Sequence, residues 1–209
     1  MRPLICFDWD GTLADSMELC RAECRSTLRI MGLPPVSQEA LSACNGPTNY
    51  EASHILGVPD ERRDEYMAIR AAENLRLCPS ENRLFPGIRE LLEELSRRAD
   101  LAVVSNGQLP YIRLGIEIFG VAPYVSGVRG YTPGLTKAQL LRDLLEERRP
   151  ERAVMVGDRL GDLEAGRACG LPTVAAGYGY GDDEEYAHAD HVCRSVEELR
   201  AYLAAWAEG

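Results

Sequence analysis

Three short apolar runs stop at residues that can handle charge or phosphate: Leu4-Ile5-Cys6-Phe7, Leu101-Ala102-Val103-Val104 and Ala153-Val154-Met155-Val156. The first stops at Asp8-Trp9-Asp10-Gly11-Thr12, the second at Ser105-Asn106-Gly107, and the third at Gly157-Asp158, with Asp162 following. Such runs predict strands buried on both faces, as in a parallel sheet covered by helices. In an open parallel α/β sheet, ligands bind at the carboxyl ends of the strands. The order therefore predicts one cleft holding carboxylates and a hydroxyl. Lys137, the chain's single lysine, opens a helical pattern and is placed to join them.

Between the first run and the second, residues 15–84 read as helical throughout, with no strand. Helices are expected over 17–31, stopped by Gly32 with Pro34-Pro35 beyond, then over a short segment capped by Ser37, and over 50–56 and 61–78. Pro79 to Asn82 breaks the pattern. After Pro86-Gly87, helices alternate with strands. Helices are expected over 88–98, 111–119, 137–148, 160–169 and 196–206, with further strands near 124–126, 173–175 and 191–192. The expected architecture is α/β: a Rossmann-like, doubly wound parallel sheet core (1–14 and 85–209) with an inserted α-helical cap (15–84). An insertion leaving the first strand at its carboxyl end lies beside the aspartates and is placed to act as a lid.

Composition narrows the function. The chain has 209 residues, room for one domain with an insertion, and a formal charge of −10. That charge disfavours nucleic acid and anionic membranes as partners, although a bound cation can invert the sign of a local site. No apolar stretch reaches the ~20 residues of a membrane span. The first run is short and ends in two aspartates, a poor signal peptide, so a cytoplasmic location is expected. Seven cysteines are scattered without a Cys-x-x-Cys, which predicts buried, reduced thiols. Cys20 and Cys24 share a helical face, but a zinc site needs more than one such pair. The acidic run Asp182-Asp183-Glu184-Glu185 reads as a solvated helix start.

Each station has a chemical reading and a plainer one. Two like charges at ~4 Å repel by about 4 kcal/mol at an effective dielectric near 20. Asp8 and Asp10 therefore call for a cation, a shared proton, or a turn that separates them, and Gly11 permits such a turn. Ser105, Asn106 and Gly107 can bind phosphate oxygens or simply make a turn. Lys137 follows Thr136, a possible N-cap, and helical lysines are mostly solvated. Asp158 and Asp162 suit a hard cation with oxygen ligands, or helix capping. The four together, in this order, favour a metal-assisted reaction at a phosphate.

In this order the stations resemble the motifs of the haloacid dehalogenase superfamily, in its phosphoglycolate-phosphatase-like branch. Further matching strings are Thr12-Leu13-Ala14-Asp15-Ser16, Phe85-Pro86-Gly87, Asp162-Leu163-Glu164-Ala165-Gly166 and Gly177-Tyr178-Gly179-Tyr180-Gly181. The resemblance implies a small-metabolite phosphatase working through an aspartyl-phosphate, with phosphoglycolate as a candidate ester and Mg²⁺ as cofactor. It implies Asp8 as nucleophile and Asp10 as general acid and then base. It implies Mg²⁺ on Asp8, the Asp10 carbonyl and Asp158, and phosphate on Ser105, Asn106 and Lys137, with Thr12 and Asp162 in support. Arg159 and Ala138 depart from the family pattern, which has a small hydroxyl residue and often a proline there. Arg159 is free to contact cap, substrate or a partner.

The alternatives are a sugar phosphomutase or pyrophosphatase of the same superfamily, a phospho-aspartate signalling module, or an inactive relative. A phosphonate hydrolase is disfavoured, since its Schiff base needs a cap lysine. Leaving-group choice is expected from Asn45, Gly46, Pro47, Thr48 and Asn49 on the cap side and Gly107 and Gln108 on the core side, with the cap loop reading equally well as an ordinary connector. Arg70 and Arg76 could reach an anionic substrate, but the expectation for arginines on helix surfaces is solvation.

Overall fold

A computed structural model describes residues 2–209. Strand β1 (Leu4–Phe7) runs through the middle of a six-stranded parallel sheet. The two-residue strands β2 (Ala14–Asp15) and β3 (Arg83–Leu84) lie outside that sheet. β4 (Asp100–Val104) flanks β1 on one side, with β5 (Gly127–Arg129) beyond it. On the other side lie β6 (Ala153–Gly157), β7 (Thr173–Ala176) and β8 (His191–Cys193). Phe7 stands opposite both Val103 and Val156, so the three central strands end level. The chain also reverses its direction of travel across the sheet at β1, which opens a crevice there.

The period-two alternation of β1 builds two layers. Ile5 and Phe7 enter one core with α5 (Ile88–Ser96), α6 (Leu109–Ile118) and α10 (Val196–Glu208). Leu4 and Cys6 enter the other with α7 (Lys137–Arg148). Helix α8 (Leu160–Ala168) packs beside α7, and the short α9 (Asp183–Tyr186) follows β7. Trp9 is fully buried in the first layer and packs against Gly115, where an added Cβ would sit 2.4 Å from the indole. That contact anchors the backbone between the two aspartates.

Helices α1 (Met17–Ile30), α2 (Gln38–Ser42), α3 (Asn49–Ile55) and α4 (Arg63–Glu81) bury their own apolar cluster, which includes Cys20, Cys24, Leu28, Leu41, Cys44 and Tyr66. Ser37 caps α2 as expected, accepting from the Ala40 N–H. The cysteines are unpaired thiols, all buried except the partly exposed Cys169. No helix among the described residues is long and apolar enough to cross a membrane.

Three local expectations need correction. Residues 15–84 were expected to hold no strand, yet β2 and β3 pair antiparallel where the insertion leaves and rejoins the sheet. Two-residue strands carry too little periodicity to be read from sequence. α4 runs through Pro79 to Glu81 instead of stopping before it. Proline removes one N–H donor, a small loss in the last turn, and the Asn82 N–H still donates to the Cys78 carbonyl. The strand expected near 124–126 is a 3₁₀ turn (Ala122–Tyr124) followed by β5. Pro123 has no N–H for a ladder, so bonding to β4 begins at Ser126.

Candidate active site

Level strand ends put Asp8 and Asp158 side by side, and the first turn of α8 adds Asp162. All three are buried, and each places a carboxylate oxygen within 4.8 Å of the others. Lys137, the first residue of α7, reaches in with its Nζ 3.0 Å from Asp8 Oδ1 and ion-paired to Asp162. Asp158 is clamped from two sides. The Thr12 hydroxyl donates to its Oδ1 (3.1 Å) and the Tyr180 N–H to its Oδ2 (2.9 Å). Gly11 (φ +76°) makes this approach feasible, because a Cβ there would fall 2.1 Å from Asp158 Oδ2. Asp162 Oδ2 accepts the Arg159 N–H (3.0 Å), so Asp162 both caps α8 and holds Lys137.

Three buried carboxylates facing one ammonium leave negative charge in excess. Burial pushes the Asp158 carboxyl well above the usual range, and the Asp162 and Asp8 charges push the same way. Asp162 is raised to about 6 by burial and then Asp8, against the opposing pull of Lys137. For Lys137, burial works to lower the pKa, but the charges of Asp162 and Asp8 together outweigh it and hold it above its ordinary value. Asp8 Oδ1 is buried without an aligned hydrogen bond, its Lys137 contact being an ion pair. An all-oxygen donor set with surplus negative charge and an under-coordinated oxygen fits a hard divalent cation.

Asp10 lies beside this group, across the cleft from the helical unit. The Tyr111 hydroxyl donates to its Oδ1 (2.6 Å), and Tyr111 in turn accepts from Asn82 Nδ2 (3.1 Å). Burial raises the Asp10 pKa, while the hydrogen bonds from Ser16 and Tyr111 oppose the rise. Buried Ser105 accepts the Gly107 N–H (3.1 Å), so its turn-forming role is real, and it lines the same cleft. Asn106 donates to the Gly46 carbonyl (3.3 Å), tying the helical unit to the sheet. Tyr178 donates to the Thr12 carbonyl and Tyr180 to Asp15, so the glycine-tyrosine loop braces the segment that follows β1.

The cleft between the sheet and the helical unit is narrow, with a volume of about 50 Å³. Asn45, Gly46, Pro47, Asn49, Gly107 and Gln108 line it. Thr48 does not. Its hydroxyl and backbone are engaged with Glu51 in the cap of α3. The expectation that Arg70 is solvated fails: it is 4% exposed and lies 2.8 Å from buried Glu23, and both residues line the cleft. Arg76 is solvated as expected and pairs with Glu73. Glu23 is raised to about 7 by burial, against the charge of Arg70.

Sequence reading passed over Glu23, Asn74 and Tyr111. A signal existed, because Glu23 falls in the buried stripe of Cys20, Cys24 and Thr27, and Arg70 and Asn74 continue that of Tyr66. Cys20, Glu23 and Cys24 are close enough together to hold a metal, but Arg70 already supplies the cation there, 3.7 Å from Cys20 Sγ. Glu185 is not simply solvated: it pairs with Arg159 (2.9 Å) and accepts the Leu160 N–H (2.6 Å).

Residues 5–176 match the family profile of the haloacid dehalogenase-like hydrolases. The chain is 33% identical to the tyrosine-protein kinase PtkA of Mycobacterium tuberculosis, over 96% of this chain and 72% of that protein. It is 29% identical to a phosphoglycolate phosphatase of Synechococcus elongatus, over 85% of each. Among solved structures, a haloacid dehalogenase-like hydrolase from Streptococcus pneumoniae superposes with a TM-score of 0.87 at 24% identity. That superposition covers 96% of this chain and 98% of the other, and supports the fold.

Proposed function

This chain belongs to the haloacid dehalogenase-like hydrolase family, and from that premise we propose that it is a Mg²⁺-dependent phosphatase of a small phosphorylated metabolite, working through an aspartyl-phosphate. The observation that carries the proposal is the meeting of Asp8, Asp158, Asp162 and Lys137 at the ends of β1 and β6. Asp8, Asp158 and the Asp10 carbonyl would hold the metal. When bound, Mg²⁺ supplies positive charge against the phosphoryl oxygens and the carboxylates.

In the first step an Asp8 oxygen attacks phosphorus. The bond to the leaving oxygen breaks, and that oxygen takes the proton held by Asp10. Burial, which raises the Asp10 pKa, favours the protonated form that this step needs. In the second step the Asp10 carboxylate takes a proton from water. The water oxygen bonds to phosphorus, and the bond to Asp8 breaks. Lys137 and Ser105 bind the phosphoryl oxygens, since phosphoryl transfer depends chiefly on alignment and charge neutralisation. Asp162 holds Lys137, and Thr12 fixes Asp158. The helical unit, residues 15–84, serves as the cap.

Phosphate release from a panel of esters, with Mg²⁺, with chelator and with Asp8→Asn, tests the reading. Release that depends on both Mg²⁺ and Asp8 supports it, and no release from any ester refutes it. The 33% identity to PtkA favours a second reading, phosphoryl transfer from ATP to a tyrosine hydroxyl in place of water. Incubation with labelled ATP and a tyrosine peptide separates the two.

A further inference from the structure

We infer that Glu185 on α9 is a positioning residue of the metal centre, fixing the first turn of α8 so that Asp158 and Asp162 converge on Asp8. The inference rests on the reading of those acids as a cation site and deepens it.

Helix α8 begins with a deficit. The first N–H groups of a helix have no partner within it, and Arg159, the residue before α8, has a side chain of donors only. Asp162 Oδ2 takes the Arg159 N–H (3.0 Å). The Leu160 N–H needs an acceptor from elsewhere, and Glu185 Oε2 supplies it (2.6 Å). Both Glu185 oxygens also lie 3.1 Å from Arg159 Nε, with Nη2 2.9 Å from Oε1. One carboxylate thus holds the backbone and the side chain of the two residues that follow Asp158.

Glu185 is itself held, its N–H donating to Asp182 Oδ1 (3.0 Å). The loop leading to it grips Asp158. The Tyr180 N–H donates to Asp158 Oδ2 (2.9 Å), and a Cβ on Gly181 would fall 2.1 Å from the Asp158 carbonyl oxygen. Residues 180–185 therefore clasp the turn 158–160 at both ends.

The clasp works against a definite force. Carboxylate oxygens of Asp8, Asp158 and Asp162 lie within 4.8 Å of one another, and two of these acids ride on the clasped turn. Arg159 and Glu185 sum to zero charge, so the clasp adds none to a centre already in excess. Groups that orient metal ligands from behind change metal affinity by about 10–100-fold when removed.

Two double variants test the inference, each keeping the net charge of the pair at zero. Glu185→Ala with Arg159→Met removes the acceptor. Glu185→Gln with Arg159→Met keeps an amide oxygen for the Leu160 N–H. For each, Mg²⁺ Kd is read by titration calorimetry and the melting temperature is read without metal. The alanine variant is expected to bind Mg²⁺ about tenfold more weakly than wild type, and the glutamine variant to recover most of that loss. Wild-type Kd in both variants overturns the inference, and so does equal weakening in both, because the Leu160 acceptor would then not matter. A lower melting temperature with unchanged Kd in the alanine variant overturns it as well, leaving Glu185 a structural role alone. The expected order of Kd without turnover of any ester by wild-type protein upholds the positioning role and removes the phosphatase reading. Wild-type protein that binds no Mg²⁺ overturns the cation site and this inference together.

Discussion

Two buried charge clusters, one on the sheet and one in the helical unit, are balanced differently. On the sheet side, Asp8, Asp158 and Asp162 share one ammonium, Lys137. On the helical side, Glu23 meets Arg70 one to one, with Tyr66, Cys44 and Asn74 taking up the remaining polar contacts. Burial is nearly complete in both, so the charge count makes the difference. The sheet cluster is frustrated until a cation arrives, which suits a reacting centre. The helical cluster pairs its charges within the protein, which suits a brace between α1 and α4.

The comparison breaks most sharply at Asp8. Asp8→Asn is expected to lower turnover by on the order of 10⁴-fold or more with the fold retained, as read by single-turnover assay and circular dichroism. A variant keeping a tenth of the activity would remove Asp8 as nucleophile.

The balanced pair should fail differently. Arg70→Met leaves a buried, unpaired Glu23 and should cost about 3–5 kcal/mol in urea unfolding. Replacing Glu23 with Met as well should restore most of that loss. A double variant as unstable as the single one would mean that packing, not charge pairing, is what Arg70 supplies.

Saturating Mg²⁺ at ~100 times its Kd should stabilise the wild-type protein by about 2.7 kcal/mol, and Asp158→Asn should lose that gain. The pH dependence has a definite sign. Asp162 is raised in the folded state to about 6 from 3.8, so the folded form holds the extra proton between those values. Metal-free stability should therefore fall as pH rises from about 4 through 6. Denaturant titrations across that range check this, and a rise in stability would contradict the charge-excess account.

The smallest effect is expected at Tyr111. Its hydrogen bond lowers the Asp10 pKa, opposing burial. The first step needs protonated Asp10, so kcat/KM falls as pH rises through that pKa. Tyr111→Phe should move the fall to higher pH by about one unit or less. A shift to lower pH would place the general acid elsewhere.

Much of this was legible because local chemistry and global fold agree. Leu4 to Phe7, Leu101 to Val104 and Ala153 to Val156 are apolar and short, and they form the central strands nearly as read. The helix at Lys137–Arg148 follows from Thr136, whose cap is visible in sequence. β2 and β3 were illegible because pairing across the whole insertion, not periodicity, makes them. Arg70 was misread because an arginine on a helix is solvated unless a partner on another helix covers it. Thr48 was placed at the site by its position in the loop, but its hydroxyl is engaged in capping α3.

The sequence by itself determined the alternating architecture, the order of the acids along it and the family, because those depend on local apolar patterning and on residue type. Tertiary structure alone decided that Glu23, Arg70 and Asn74 confront Asp10 and Tyr111. The facing direction of a helical side chain depends on how α1 packs on α4 and how both sit over the sheet, and no local pattern encodes that.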